Sequence, residues 1–158
     1  MGAAHPQASH CFGFEQDFVG SWRCIPLCLR RKLDLIGLKL KLSHWLELRQ
    51  EQRQQLVDWP DHPEGLAELR ETLRQWTSPM ADGEAKPLPP AVAEPWQQPF
   101  TVPQDVARAA LGHSIALGGP AWGSLGELER FALCKLARPG HDHPNFRAAL
   151  DELLNGPP

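Results

Sequence analysis

EQDFVGSWRCIPLCLRRKLDLIGLKL, from Glu15 to Leu40, decides how the rest of the chain is read. Pro26 suits the first turn of a helix, where a missing N–H costs nothing. Leu29, Leu33 and Ile36 follow at i, i+4 and i+7 and share one face. Gly37 stands where helices end in a left-handed residue. Arg30 and Asp34 form an i, i+4 pair on the outer side. The stretch therefore predicts an amphipathic helix, entered from an aromatic and acidic segment carrying Phe12, Phe14, Glu15, Asp17 and Phe18.

Composition extends the helical reading to the whole chain. There is no Tyr, and Val and Ile are scarce beside Leu, Ala, Glu, Gln and Arg. Strands favour β-branched and aromatic residues, and helices favour what this chain has. Six Trp and six Phe supply large side chains for a core. A length of 158 residues is about one domain, here a single helical domain spanning residues 1–158. A chain of that size buries roughly two-thirds of its unfolded surface. The net charge of -3 argues against nucleic acid as partner. No apolar run reaches the roughly 20 residues that span a bilayer. MGAAHPQASH at the start has no basic segment leading into an apolar one, and Pro6 breaks the myristoylation pattern. Four cysteines (Cys11, Cys24, Cys28 and Cys134) then read as reduced thiols of a cytoplasmic protein.

The same order of residues occurs twice. Pro103, Trp122, Leu125, Arg130 and Leu133 each lie 77 residues after Pro26, Trp45, Leu48, Arg53 and Leu56. Asp61-His62-Pro63 recurs as Asp142-His143-Pro144. The expectation is an all-α fold of about six helices, in two similar three-helix units produced by internal duplication. The first unit covers residues 12–76, with helices over 26–36, 50–59 and 61–76. The third opens at Asp61, with Glu64 at capping-box spacing, and carries Leu66, Leu69, Leu73 and Trp76 on one face. LKLKLSHW, after Gly37, reads as a short extended connector and not as a sheet. The second unit covers 102–154, with helices over 104–111, 127–137 and 145–154. Between them, residues 77–101 form a Pro-rich linker. Pro79, Pro87, Pro89, Pro90, Pro95 and Pro99 favour an extended, exposed path, with Trp96 and Phe100 pinning its end.

The residues that could carry chemistry read as mostly structural. Cys24 and Cys28 are spaced C-x3-C, not the C-x2-C of a thioredoxin-like or zinc site. Cys28 beside the apolar stripe reads as a small buried hydrophobe. A redox-sensitive thiol or a metal ligand are the alternatives. Cys24, ahead of a helix N-terminus and next to Arg23, is the candidate reactive thiol. His141 and His143, with Asp142, Asp61 and His62, form a possible metal set. The two aspartates stand at expected helix starts, where Asp caps on its own. There is no G-x-S-x-G, no Gly-rich phosphate loop and no H-E-x-x-H. Arg30, Arg31 and Lys32 read as a solvated helix face, or as a contact for an acidic partner.

The first block also resembles a known family. Its residues are Phe12, Phe14, Glu15, Asp17, Phe18, Val19, Ser21, Arg23, Cys24, Ile25, Pro26, Arg30, Lys32, Leu33, Asp34, Gly37, Lys39 and Leu40. The second block holds Trp122, Leu125, Arg130, Phe131, Ala132, Leu133, Lys135, Leu136, Arg138, Pro139, His141, Asn145 and Phe146. Together they resemble the nitrate reductase-associated protein family over most of the chain outside the linker. Trp22, Leu27 and Asp61 depart from its pattern, and the last weakens a metal or thiol site there.

The resemblance implies an accessory protein, without chemistry or cofactor of its own, for an assimilatory nitrate reductase of photosynthetic bacteria. That partner carries a molybdenum pterin and an iron–sulfur cluster. The surface expected to bind it comprises Phe14, Glu15, Asp17, Phe18, Arg23, Arg30 and Lys32, an aromatic centre with a charged rim. The rival is a small metal- or thiol-redox protein using Cys24, Cys28 and His141. A helical scaffold with an unrelated partner is the third reading.

Overall fold

The computed structural model describes residues 7–16, 22–138 and 145–155. Helix α1 runs Leu27–Ile36, with Pro26 as its N-cap. The Pro26 carbonyl accepts from the N–H groups of Leu29 and Arg30. Leu29, Leu33 and Ile36 are buried, as their spacing requires. Gly37 closes the helix at φ 70°, and its N–H donates to the Leu33 carbonyl. A Cβ at Gly37 would collide with the Leu88 carbonyl oxygen. Glycine is thus needed there for both backbone angle and clearance.

That clearance lets a small ribbon form where the sequence reading expects only a connector. Strand β1, Leu38–Lys39, pairs antiparallel with β2, Lys86–Pro87. Leu88 N–H then donates to the Gly37 carbonyl and Ala91 N–H to that of Asp34. Two residues per strand are too few for an alternating pattern, and Pro87 has no N–H to extend the ladder. Ala85 is buried beside the ribbon, and its N–H donates to Thr77 Oγ1.

The chain divides into two compact units, described separately below. One holds the residues up to Cys11 and Glu15–Val92; the other holds Phe12–Phe14 and the chain from Ala93 on. The first unit contains α1, α2 (Leu42–Glu47), α3 (Gln50–Val57) and α4 (Pro63–Thr77). Helix α1 packs on α4 and α3. Trp45, Leu29, Leu56, Leu69 and Leu73 make its sealed core. The second unit contains α5 (Gln104–Gly112), α6 (Gly119–Ser124), α7 (Glu127–Leu136) and α8 (Asn145–Asn155). Helix α7 is central, packing on α5, α8 and a single 3-10 turn, Pro95–Gln97. Trp96 in that turn meets Phe131 edge to face at 5.0 Å. Phe100, expected to pin the chain with Trp96, is 89% exposed.

The protein is therefore mainly α, with eight helices and one two-stranded ribbon among the described residues. The six helices expected from periodicity are all present. Helices α2 and α6 are additional, and at six residues each they are too short to show a period. Leu27, Leu42 and Gln50 begin α1 to α3, and the residues 77 positions on begin α5 to α7. Two helix starts differ from expectation: Pro26 is the N-cap of α1 and not its first residue, and α4 opens later than Asp61. The N-cap of α4 is His62, not Asp61, and its Nδ1 accepts from Gly65 N–H at 2.9 Å. Asp61 accepts instead from Arg31 at 2.8 Å, with the two side chains 3% and 5% exposed.

Each unit buries a tryptophan and holds a short helix end with an arginine. Trp45 Nε1 donates to the Trp22 carbonyl at 2.7 Å, and Trp122 Nε1 to that of Gln98 at 2.8 Å. Arg53 Nε donates to the Trp45 carbonyl and its Nη2 to that of Leu46, both at 3.0 Å. Arg130 Nε donates to the Trp96 carbonyl at 3.0 Å and its Nη1 to that of Leu125 at 2.5 Å. Arg130 is buried, so Arg130→Met leaves two carbonyls without a donor. We expect a loss of about 3 kcal/mol in urea unfolding. Arg53→Met, at a half-exposed position where water replaces the guanidinium, costs about 1 kcal/mol. Equal effects of the two would refute this ranking.

Candidate functional site

The inner face of α1 carries polar groups among its leucines. Cys28 and Lys32 lie one turn apart, and both are 0% exposed. Lys32 Nζ donates to the carbonyls of Leu56 at 3.1 Å, Val57 at 2.7 Å and Trp59 at 2.9 Å. These lie at the C-terminal end of α3, where carbonyls lack helical partners and the dipole favours a cation. All three ammonium protons are used. Burial pulls the Lys32 pKa down to about 8, which still leaves the ammonium at neutral pH.

Glu15 holds the N-terminal end of α1. Its carboxylate is 0% exposed, and Oε1 accepts from Leu27 N–H at 2.9 Å. It supplies the cap that Pro26 lacks, at the positive end of the helix dipole. Hydrogen bonding with Cys28 draws the Cys11 thiol below its ordinary range, and the same interaction, with burial, raises that of Cys28. Cys134, in the second unit, is pushed up to about 12 by burial.

The structure redistributes the expected partner-binding residues. Glu15 and Lys32 are interior groups: one caps α1 and the other satisfies α3, so neither offers a surface. Arg31 is paired with Asp61, so of the basic triplet only Arg30 faces solvent. Phe14 is 8% exposed and stacks on Phe12 at 4.9 Å. Its N–H donates to Glu152, and its carbonyl accepts from Asn145. Arg23 is exposed, and Cys24 is half-buried. Asp17, Phe18, His141, Asp142 and His143 lie outside the described residues. The sequence reading missed the Arg31–Asp61 pair and the partnership of Cys11 with Cys28. The i, i+4 spacing of Cys28 and Lys32 was the available signal that polar groups share the inner face.

A cleft of about 490 Å³ opens at the corner between α3 and α4, bordered by Asp58, Trp59, Pro60, His62 and Glu68. His62 commits Nδ1 to the Gly65 amide there. Among the described residues, no three His, Cys, Asp or Glu side chains stand close enough to hold a metal ion. No described helix is long and apolar enough to cross a membrane.

A family model described as conserved nitrate reductase-associated protein matches residues 11–153. The chain belongs to that family. Comparison with curated proteins and with solved structures gives no match. The span matched by the nitrate reductase-associated model takes in the whole polar column of α1 and the Arg130 anchor. Several residues that carry the resemblance thus have structural work in this chain: Glu15 caps, Lys32 anchors, Gly37 turns and Arg130 bridges.

Lys32→Met leaves the Val57 and Trp59 carbonyls without this donor, while that of Leu56 keeps the Trp59 N–H, and we expect it to cost about 3 kcal/mol at pH 7. The ordinary lysine value is 10.5, against about 8 in the folded chain. Between those values the unfolded chain holds more protons, so this group's contribution to stability rises with pH. The advantage of the wild type over Lys32→Met should widen by about 3 kcal/mol from pH 7.5 to pH 10.5. Urea unfolding at both pH values measures it, and a pH-independent gap contradicts the assignment.

Proposed function

We propose that this chain is a non-catalytic accessory protein that binds nitrate reductase in the cytoplasm and is needed for its full activity in nitrate assimilation. The family match over residues 11–153 carries this reading. The partner is the molybdenum-pterin, iron–sulfur enzyme that the resemblance implies.

The exposed groups of the first unit suggest where it binds. Leu42 and Leu46 lie one turn apart on α2 and are 49% and 50% exposed. Arg53 links this helix to Trp22 through the carbonyls of Leu46 and Trp22. Arg23 follows Trp22 directly, and Arg30 is the exposed cation of α1. An apolar pair with basic groups on the same unit suits an acidic-rimmed face on the reductase. Arg23 and Arg30 are therefore retained from the sequence-based surface, and Leu42 and Leu46 join them.

We also infer that the two units arose by duplication, joined through the Pro-rich stretch 77–101. Helices starting 77 residues apart support this. So do matching amide caps: Arg49 N–H donates to Gln52, and Gly126 N–H to Glu129.

The test is reductase activity and molybdenum content in one host, with and without this chain. Loss of both places the protein in cofactor loading. Loss of activity with molybdenum retained places it on the mature enzyme. No change in either overturns the requirement. For the surface, Arg23→Glu with Leu46→Glu should reduce co-purification with the reductase at least about tenfold while the circular dichroism spectrum is kept. Unchanged co-purification rejects this face.

A further inference from the structure

The second unit presents an apolar side chain and an apolar groove next to each other. Phe100 is 89% exposed, although the backbone that carries it is held in place. Trp122 Nε1 donates to the Gln98 carbonyl at 2.8 Å, and a Cβ at Gly123 would meet the Pro99 carbonyl oxygen at 2.9 Å. A groove of about 220 Å³ lies between α5 and the stretch leading into α6. Ala107, Leu111, Ala116, Leu117 and Gly118 line it, and none of them carries a charge. Gly118 is the N-cap of α6, and a Cβ on the next residue, Gly119, would stand 4.0 Å from the Phe100 carbonyl oxygen. Knob and groove therefore border the same edge of the unit. A dry cavity of about 150 Å³ takes a benzene ring, so this groove is large enough for a phenyl group. Phe100 does not fill the groove of its own chain, since so little of it is covered.

We propose that this face is self-complementary, and that two copies of the chain pair across a two-fold axis with the Phe100 of each seated in the groove of the other. Two-fold symmetry makes both contacts at once from a single surface. The outer stripe of α5 carries matching charge. Asp105, Arg108 and Leu111 are exposed there, one turn apart in succession. When two α5 helices run antiparallel across the axis, Asp105 of each copy stands opposite Arg108 of the other, so acid meets base twice. A partner face of one sign would be repelled by one member of this pair, whereas a second copy satisfies both. Leu111 closes the rim of the groove beside the seated ring, which keeps water from the contact. The assignment does not depend on association with the reductase, whose proposed face is on the first unit.

Sedimentation velocity of the untagged full-length chain, over a range of concentrations, tests this. We expect the mass to rise with concentration from that of one chain toward that of two. Phe100→Glu and Leu111→Glu replace exposed residues, so the circular dichroism spectrum should be kept while each weakens dimerisation at least about tenfold. Arg108→Asp alone should also weaken it, and adding Asp105→Arg should restore the pairing with the signs exchanged. A wild type that stays at the mass of one chain up to about 1 mM overturns the proposal. A dimer that Phe100→Glu leaves intact also overturns it, because the contact then lies elsewhere. So does a double charge variant that pairs no better than Arg108→Asp. If the wild type stays monomeric and Phe100→Glu instead loses co-purification with the reductase, the groove receives another protein and the second copy is rejected.

Discussion

Short helices leave a large share of their carbonyls without helical partners, and this chain meets that demand with cations that are buried (Lys32, Arg130) or half-buried (Arg53, Arg70). Four C-terminal carbonyls per helix lie beyond the reach of the helix's own amides. In helices of six to fifteen residues these are a major fraction of the backbone. Lys32 serves the end of α3, Arg53 the end of α2, Arg130 the residue after α6, and Arg70 the Ile36 carbonyl at the end of α1. Each donor belongs to another helix, so each cap is also a tertiary contact. Lys32 places α1 on α3, and Arg70 places α4 on α1. The dipole at each helix end favours the cation, which offsets part of its desolvation. Exposed pairs such as Arg74–Glu84 contribute far less, because water screens them.

This arrangement changes how a charged motif is interpreted. Glu15 and Lys32 belong to the stretch that resembles the family, and in sequence they look like the rim of an interface. In the fold they are sealed, Glu15 at the start of α1 and Lys32 against the end of α3. Burial makes them hard to replace, because removing either leaves backbone groups unpaired in a low-dielectric interior. A recurring charged residue can thus mark an anchor of the fold, with recognition assigned to less distinctive neighbours. Leu42 and Leu46, ordinary residues on a helix too short to be read, are the more accessible apolar pair.

The legible part of the fold was the part written in periodicity. Leu29, Leu33 and Ile36, closed by Gly37, gave α1 to within a residue. The Leu66, Leu69 and Leu73 stripe gave α4. The two six-residue helices and the two-residue strands fall below any period, so their stretches read as connectors. The candidate site was less legible, because its contacts cross the sequence. Lys32 finds carbonyls more than twenty residues away, and Asp61 leaves a capping position to meet Arg31. His62 takes the cap in its place, a role its type does not advertise. Cys28 was correctly read as buried, but its partner Cys11 sits in a segment with no pattern to place it.

The choice of cation at each anchor follows from the shape of the acceptor set. Around Lys32 three carbonyls come from one helix end, those of Leu56, Val57 and Trp59, and they converge on a single point. A tetrahedral ammonium with three protons suits that geometry, and a planar guanidinium does not. Around Arg130 the acceptors come from two segments, Trp96 in a 3-10 turn and Leu125 after a helix. Arg53 likewise reaches Trp45 and Leu46 on one side and Trp22 on the other. A rigid fork with separate nitrogens bridges such sites, and one ammonium cannot span them. Lysine at 32 gathers one helix end, whereas arginine at 53 and 130 joins two pieces of chain. Exchanging them keeps the charge and loses the fit, so net charge alone does not preserve these anchors.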